Sequence, residues 1–176
     1  KNGVEIRNYA DSGYRYLRVT DLGKHELNHN SPRFVDVGEV PTRIKLSTDC
    51  ILISRSGSLG LISVVTPEMQ DIILSSHIFK AQVDVEKVST KYLEAFFRSV
   101  LGQEQFFRKN NGGVIPEINQ NALKSLEMPI PPLDVQVEIA DSVAEIYDNA
   151  QRLQVEAREI LDNAKREVES LILGVG

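Results

Sequence analysis

The last quarter of the sequence places the strongest constraint on folding, because its apolar residues recur every seven positions. One row is large and the other is mostly alanine: Ile139, Ile146, Leu153 and Ile160, and between them Val143, Ala150, Ala157 and Ala164. The alternating four-three spacing predicts one long coiled-coil helix. Since alanine buries little area and lets another helix approach closely, we expect these eight residues to form a partner interface.

A proline segment precedes this helix. Pro129, Pro131 and Pro132 cannot continue a helix from upstream, and Asp134 stands where an N-cap carboxylate would accept amide hydrogen bonds. We therefore divide the chain into a globular domain, residues 1–133, and a helical region, residues 134–176, that serves dimerisation or spacing. Residues 138–172 would span about 52 Å as a helix.

The charge is distributed unevenly between these two regions. The net charge of the chain is −5; residues 134–176 hold 4 basic and 10 acidic side chains, and residues 1–133 hold 16 and 15. The acidity therefore belongs to the helix, and the near-neutral first domain could bind nucleic acid if its basic groups gathered on one face.

The first domain carries both strand and helix patterns. Residues 14–23 alternate as a half-buried strand, and residues 50–54 and 61–65 predict a hairpin whose connection uses Gly57 and Gly60. Apolar residues at helical spacing follow over 89–109, with Ser89 or Thr90 as the cap and a break near Gly102, and a short helix is expected around 119–126. The predicted fold class is α+β: a mixed domain with β-hairpins and short helices, followed by one long coiled-coil helix.

Two polar loops are candidates for ligand contact. The loop "ISRSGSLG" (53–60) offers backbone N–H groups, two hydroxyls and Arg55 to a phosphate, although an ordinary glycine hairpin explains it equally simply. The segment "FFRKNNGG" (106–113) joins basic side chains to two amides that could reach base edges; a helix C-terminus with a glycine stop is the alternative.

Motifs of other function classes are missing from the sequence. Cys50 is the single cysteine and lies in an apolar run, so we expect a buried, inert thiol and a reducing cytoplasm. No run is long enough for a membrane span, no signal peptide is recognisable, and Lys1 at the start indicates part of a longer product. His25 and His29 lack a third metal ligand, and His77 is interpreted as a partly buried strand residue. We expect no catalytic and no metal site.

The order of several motifs resembles one half of the specificity (S) subunit of type I restriction–modification enzymes. The matching stretches are "YLRVTDLG", "DCILISRSGSLG", "YLEAFFRS", "NNGGVIPEIN" and "LEMPIPPLDVQVEI". The last of these is the most specific, because the family commonly has Pro-Pro-Leu-x-Glu-Gln-x-x-Ile there. This chain keeps all but one of those positions, with Val135 in place of the glutamate: Pro131, Pro132, Leu133, Gln136 and Ile139.

The resemblance implies a target recognition domain followed by one conserved helical region, in the cytoplasm of a prokaryote. Its expected partners are double-stranded DNA, DNA adenine methyltransferase subunits and a restriction/translocase subunit, with no membrane. The chain itself would bind no cofactor, since S-adenosylmethionine belongs to the methyltransferase. It could be a half-length subunit that forms a homodimer through its helix, a fragment, or the recognition module of a fused enzyme.

We expect the DNA-facing residues to come from three segments. They are Arg15, Arg18, Thr20 and Asp21; Arg55, Ser56, Gly57 and Ser58; and Asn110, Asn111, Gly112 and Gly113. The alternative function is a coiled-coil adaptor or scaffold without DNA sequence readout. Convergence of the basic residues on a single surface would favour the reader, and their scatter would favour the scaffold.

Overall fold

The computed structural model describes residues 2–23, 27–38, 40, 45–69 and 71–174. The chain divides into two compact units, Lys1–Glu138 and Ile139–Gly176. The strands are β1 (Tyr14–Leu17), β2 (Arg33–Val35), β3 (Cys50–Ser54), β4 (Ile62–Val64), β5 (Ile72–Leu74) and β6 (Ile78–Gln82). The helices are α1 (Thr90–Arg98), α2 (Val100–Arg108), α3 (Gln120–Lys124) and α4 (Leu133–Leu173). The predicted α+β class with a long C-terminal helix is confirmed.

The strands form two three-stranded sheets. In one sheet β3 pairs antiparallel with both β4 and β6, so that Ile53 lies between Ile62 and Phe79. All five residues of β3 are buried, including Cys50. The predicted hairpin is confirmed, and Gly57 and Gly60 of its connection both have positive φ.

The other sheet corrects the strand predicted over residues 14–23. Strand β1 pairs with β2 on one side and β5 on the other, and it ends at Leu17. Because β1 is the central strand, Tyr16 and Leu17 are both buried and the expected alternation of inside and outside is lost. The chain then turns through a short 3₁₀ helix, Val19–Asp21.

Helices α1 and α2 join where a serine, not a glycine, breaks the pattern. Ser89 caps α1 as predicted, by accepting from the Tyr92 N–H, but the break comes at Ser99, whose hydroxyl caps α2. Gly102 lies inside α2 and is buried there. A Cβ at Gly102 would come within 2.4 Å of the Phe97 Cα, so glycine permits the close approach of the two helices.

The first turn of α4 is fixed by a fully buried glutamine. The Gln136 side chain accepts from the Ser89 N–H at 2.9 Å and donates to the carbonyl oxygens of Lys87 and Pro131 at 2.9 and 2.7 Å. Helix α4 begins at Leu133, one residue earlier than predicted. Asp134 therefore lies in the first turn, where its charge still complements the helix dipole, and is not the N-cap.

The second unit consists of the rest of α4, and its large apolar residues face solvent. The four members of the large heptad row, Ile139, Ile146, Leu153 and Ile160, are between 39% and 67% exposed. The predicted helix is confirmed, whereas its partner interface stays a prediction. No helix of the described residues is sufficiently long and apolar to span a membrane.

Candidate nucleic-acid interface

Five chain segments of the first unit border one groove of about 730 Å³, which we call the loop groove. Its lining comes from the N-terminal segment, the end of β1, the β3–β4 loop, the β5–β6 turn and a late loop before α3. The lining residues are Glu5, Ile6, Arg7, Tyr9, Tyr16, Arg18, Val19, Thr20, Ser56, Gly57, Ser58, Ser75, Ser76, His77 and Ile115. Five of the twelve residues predicted to face DNA, Arg18, Thr20, Ser56, Gly57 and Ser58, are thereby brought together.

The β3–β4 loop is bonded to residues 116–118, which follow the polar 106–113 segment in the chain. The Gly57 N–H donates to the Pro116 carbonyl at 3.0 Å, and the Ile118 N–H donates to the Arg55 carbonyl at 2.9 Å. The guanidinium of Arg55 forms an ion pair with Glu117 and lies 5.5 Å from the centre of the Phe79 ring. Arg55 and the Gly57 amide, which we expected to face DNA, are therefore engaged in holding the loops together.

The 110–118 loop is built by its own polar and glycine residues. The Asn110 side-chain oxygen accepts from the N–H groups of Gly112 and Glu117 at 3.0 and 2.9 Å, and the Asn111 N–H donates to the Glu117 carbonyl at 2.9 Å. A Cβ at Gly112 would lie 2.1 Å from the Ile115 carbonyl oxygen, so this position requires glycine, whereas Gly113 faces open space. Asn110 and Gly112 thus shape the loop, and the Asn111 side chain and Gly113 are exposed.

Asp21 was predicted to face DNA, but its side chain is buried and does not face solvent. Only 2% of Asp21 is exposed, and its carboxylate accepts from the backbone N–H and the guanidinium of Arg18 at 2.8–3.1 Å. This hydrogen-bonded carboxylate raises the pKa of Arg18 above its ordinary value. Asp21 is therefore an internal partner that orients Arg18 at the loop groove, and Thr20 beside it is exposed.

Arg15 borders a different groove. It lines a groove of about 590 Å³ with Tyr14, Phe34 and Glu68, and its guanidinium contacts His29 Nδ1 at 2.9 Å and the Asn28 carbonyl at 3.0 Å. His25, the other half of the rejected metal pair, lies outside the described residues. Among those described, no three His, Cys, Asp or Glu side chains gather in a way that could hold a metal ion.

The two basic residues of the 106–113 segment border a third groove. Arg108 and Lys109 line a groove with Leu101, Gln105 and Met128. The convergence expected of a DNA reader is met only in part, because Arg18 borders the loop groove while Arg15, Arg108 and Lys109 do not. Charge placement alone therefore does not choose between reader and scaffold.

The N-terminal segment also contributes to the loop groove, and no sequence pattern predicted this contribution. Glu5, Arg7 and Tyr9 reach it because isolated bridges attach their segment to the sheet, at Val4–Ser75 and Ala10–Phe34. A hydrogen bond from Ser76 and the adjacent Arg7 lower the pKa of Glu5, so it remains ionised. No repeat or turn signal in residues 2–10 indicates these pairings, since they depend on a distant strand.

His77 was also misplaced by the sequence reading. It is exposed in the two-residue turn between β5 and β6 and lines the loop groove, rather than being a partly buried strand residue. The apolar neighbours that suggested a strand are the two flanking strands themselves. The polar pair Ser76 and His77 between two apolar runs is the turn signal that would have found it, although the flanking strands belong to different sheets.

Similarity to a known family adds the evidence on function that charge placement does not provide. Residues 38–158 match the family model of the type I restriction modification DNA specificity domain. The chain belongs to this family. No curated protein matches the chain.

Solved structures of type I specificity subunits share the fold. The HsdS subunit from Thermoanaerobacter tengcongensis is 21% identical, with a TM-score of 0.63 over 90% of this chain and 40% of its own. The S subunit of the type I restriction–modification system of M. genitalium is 16% identical, with a TM-score of 0.60 over 87% of this chain and 37% of its own. A third chain, from a study of complex assembly and conformational transition of the type I system, is 19% identical. Its TM-score is 0.63 over 90% of this chain and 40% of its own. This specificity domain thus spans about two fifths of each of those chains.

Proposed function

We propose that this specificity domain reads one half-site of a DNA sequence and catalyses no reaction itself. The observation that carries the proposal is the loop groove, where residues of two predicted recognition segments, Arg18 and Thr20 from one and Ser56–Ser58 from the other, meet in a chain of the DNA specificity family. Sequence reading by such a module needs side chains held in fixed positions at a groove wide enough for nucleic acid.

Individual residues then have different roles. The exposed hydroxyls of Thr20 and Ser58, with Ser56 beside them, contact phosphate oxygens, and Arg7 and Arg18 supply positive charge. The exposed Asn111 amide reaches a base edge, for which adenine is the natural match. Arg55 acts as a positioning residue through Glu117, which changes our expectation that it would itself contact phosphate or base.

The helical region completes an assembly. The heptad row defined above pairs with an equivalent helix, either of a second copy in a homodimer or of a second half-subunit. In the assembled system, DNA adenine methyltransferase subunits using S-adenosylmethionine and a restriction/translocase subunit dock on the specificity module. The study of complex assembly that includes a similar chain supports such partners.

Selection from a randomised DNA duplex pool tests this function. The chain is used with and without its candidate methyltransferase, at 50 mM and 200 mM salt, because phosphate contacts weaken steeply over that range. We expect an enriched sequence, and a two-part sequence if two copies act through their helices. Arg18→Gln should weaken binding to all duplexes and reduce the salt slope by about one.

The alternative outcome identifies the scaffold function. If the folded chain associates with the methyltransferase and the pair enriches no sequence, the domain does not read DNA. Lys91→Gln on α1 serves as the matched control for Arg18→Gln, since Lys91 is an exposed cation outside the loop groove. An equal loss in both variants would show that only overall charge matters.

A further inference from the structure

The tip of the 110–118 loop presents two apolar side chains to solvent. Val114 is 102% exposed and Ile115 is 63% exposed. Ile115 lines the loop groove beside Ser56–Ser58 and Arg18. Apolar side chains at this degree of exposure contribute little to folding and are available to contact a partner.

Contacts fix the two ends of the tip, whereas the tip's own side chains are free of the core. Below it, Ile118 is fully buried, and Gly57, Asn110 and Glu117 contribute the backbone, side-chain and ionic contacts described above. Gly112 allows no Cβ because the chain folds back on the Ile115 carbonyl. Because both ends of the tip are fixed, it has less conformational entropy to lose on binding, which favours recognition over adaptable contact.

We propose that Val114 and Ile115 read thymine by contact with its C5-methyl group in the major groove. This inference rests on the proposed DNA-reading function and adds a chemical feature to it. The polar side chains that line part of the loop groove offer hydrogen bonds to phosphates and base edges, whereas the thymine methyl is the one apolar group that a base pair displays in the major groove. Among DNA features, an apolar tip beside such a lining matches the thymine methyl group.

Replacement of thymine by uracil in the enriched duplex removes only that methyl group. Each thymine of the selected sequence is replaced in turn, and the affinity of the full chain is measured with its methyltransferase. We expect a loss of about four-fold at one or two adjacent positions, the value of one buried methyl group. The double variant Val114→Ser with Ile115→Ser, which leaves no methyl group at the tip, should lose this preference there and keep the salt slope of the natural chain.

Three outcomes overturn the inference. The double variant could discriminate thymine from uracil as well as the natural chain does, or no thymine of the enriched sequence could be sensitive to its methyl group. The variant could instead change self-association in sedimentation and leave base preference unchanged, which would assign the tip to a second copy. Val100→Ser, at a valine on α2 that is 84% exposed and lies outside the loop groove, is the matched control.

The selection experiment separates the two proposals. If the domain does not read DNA, the natural chain enriches no sequence at all. If only the thymine assignment fails, the chain still enriches a sequence, and residues outside the tip make the base contact. Folding of the double variant is checked by amide hydrogen exchange in β3, which should equal that of the natural chain because both tip side chains are exposed.

Discussion

The two units of the chain differ in the burial of their large apolar residues. In the first unit the large residues of β3, β5 and β6 are buried, and polar groups such as Gln136 and Asp21 that accompany them are hydrogen-bonded. In the second unit Ile146, Leu153 and Ile160 remain exposed along a single helix. The first unit has the attributes of a domain that folds by its own contacts, and the helix has a surface whose burial requires another helix.

Helix α4 contains both buried and exposed residues, and the change from one to the other occurs near its start. Gln136 in its first turn is fully buried with three bonded partners, and Ile139 three positions later is already partly exposed. Substitutions on either side of this point should therefore have very different effects on the free energy of unfolding of the first unit. Hydrogen exchange of the β3 amides measures that free energy.

Gln136→Leu should have the largest effect. The substitution leaves the Ser89 N–H and the carbonyls of Lys87 and Pro131 without their partner, and we expect a loss of about 3 kcal/mol. Gln151→Leu, on the exposed part of the same helix, should change the free energy by less than about 0.5 kcal/mol. Equal effects in the two variants would remove the distinction between the two parts of α4.

Gly112→Ala should have the next largest effect. Its Cβ would collide with the Ile115 carbonyl oxygen and the Glu117 nitrogen, and the forced shift should cost about 2 kcal/mol. Gly113→Ala, one residue later in open space, is the matched control and should cost less than about 0.5 kcal/mol. If both alanine variants exchange like the natural chain, the loop is not fixed in the way described.

The ion pair of Arg55 and Glu117 should contribute less. A double-mutant cycle of Arg55→Gln and Glu117→Gln should give a coupling energy of about 1 kcal/mol, because the Arg55 side chain is only 24% exposed. The same cycle on the exposed pair Arg108 and Glu104 should give no more than about 0.5 kcal/mol. A coupling at Arg55 as weak as that control would leave the loops held by backbone bonds alone.

Leu153→Asp should have the smallest effect on the first unit and the largest on association. The change places a carboxylate on an exposed apolar row, so hydrogen exchange of β3 should move by less than about 0.5 kcal/mol. Sedimentation of the full chain should show weakened self-association, whereas Gln151→Asp, off that row, should leave it unchanged. Unchanged sedimentation for Leu153→Asp would exclude a homodimer through this row.

Sequence patterns predicted the elements whose causes are local. The heptad row, the β3–β4 hairpin and the Ser89 cap depend on residues a few positions apart, and all three are present. The break at Ser99 was misassigned to Gly102 because an isolated glycine resembles a helix stop, whereas here its missing Cβ serves the approach to Phe97. Tertiary packing decided between the two meanings.

The site was harder to predict than the fold. Thr20 and Ser56–Ser58 were among the predicted DNA-facing residues and line the loop groove, but the ion pair of Arg55 joins residues 62 positions apart. The N-terminal lining has the same character, since Arg7 and Tyr9 reach the loop groove only through pairing with distant strands. A sequence pattern shows that a polar side chain is available, and it does not show which partner already occupies it.

The separation between the base of the 110–118 loop and its tip has an evolutionary consequence. The base depends on backbone bonds, on Gly112 and on the Asn110 oxygen, while Gly113, Val114 and Ile115 are exposed. Mutations at the tip can therefore accumulate with little penalty to folding. If the tip reads bases as proposed, a lineage carrying this domain acquires new target sequences by mutation at three adjacent codons, without passing through unfolded intermediates.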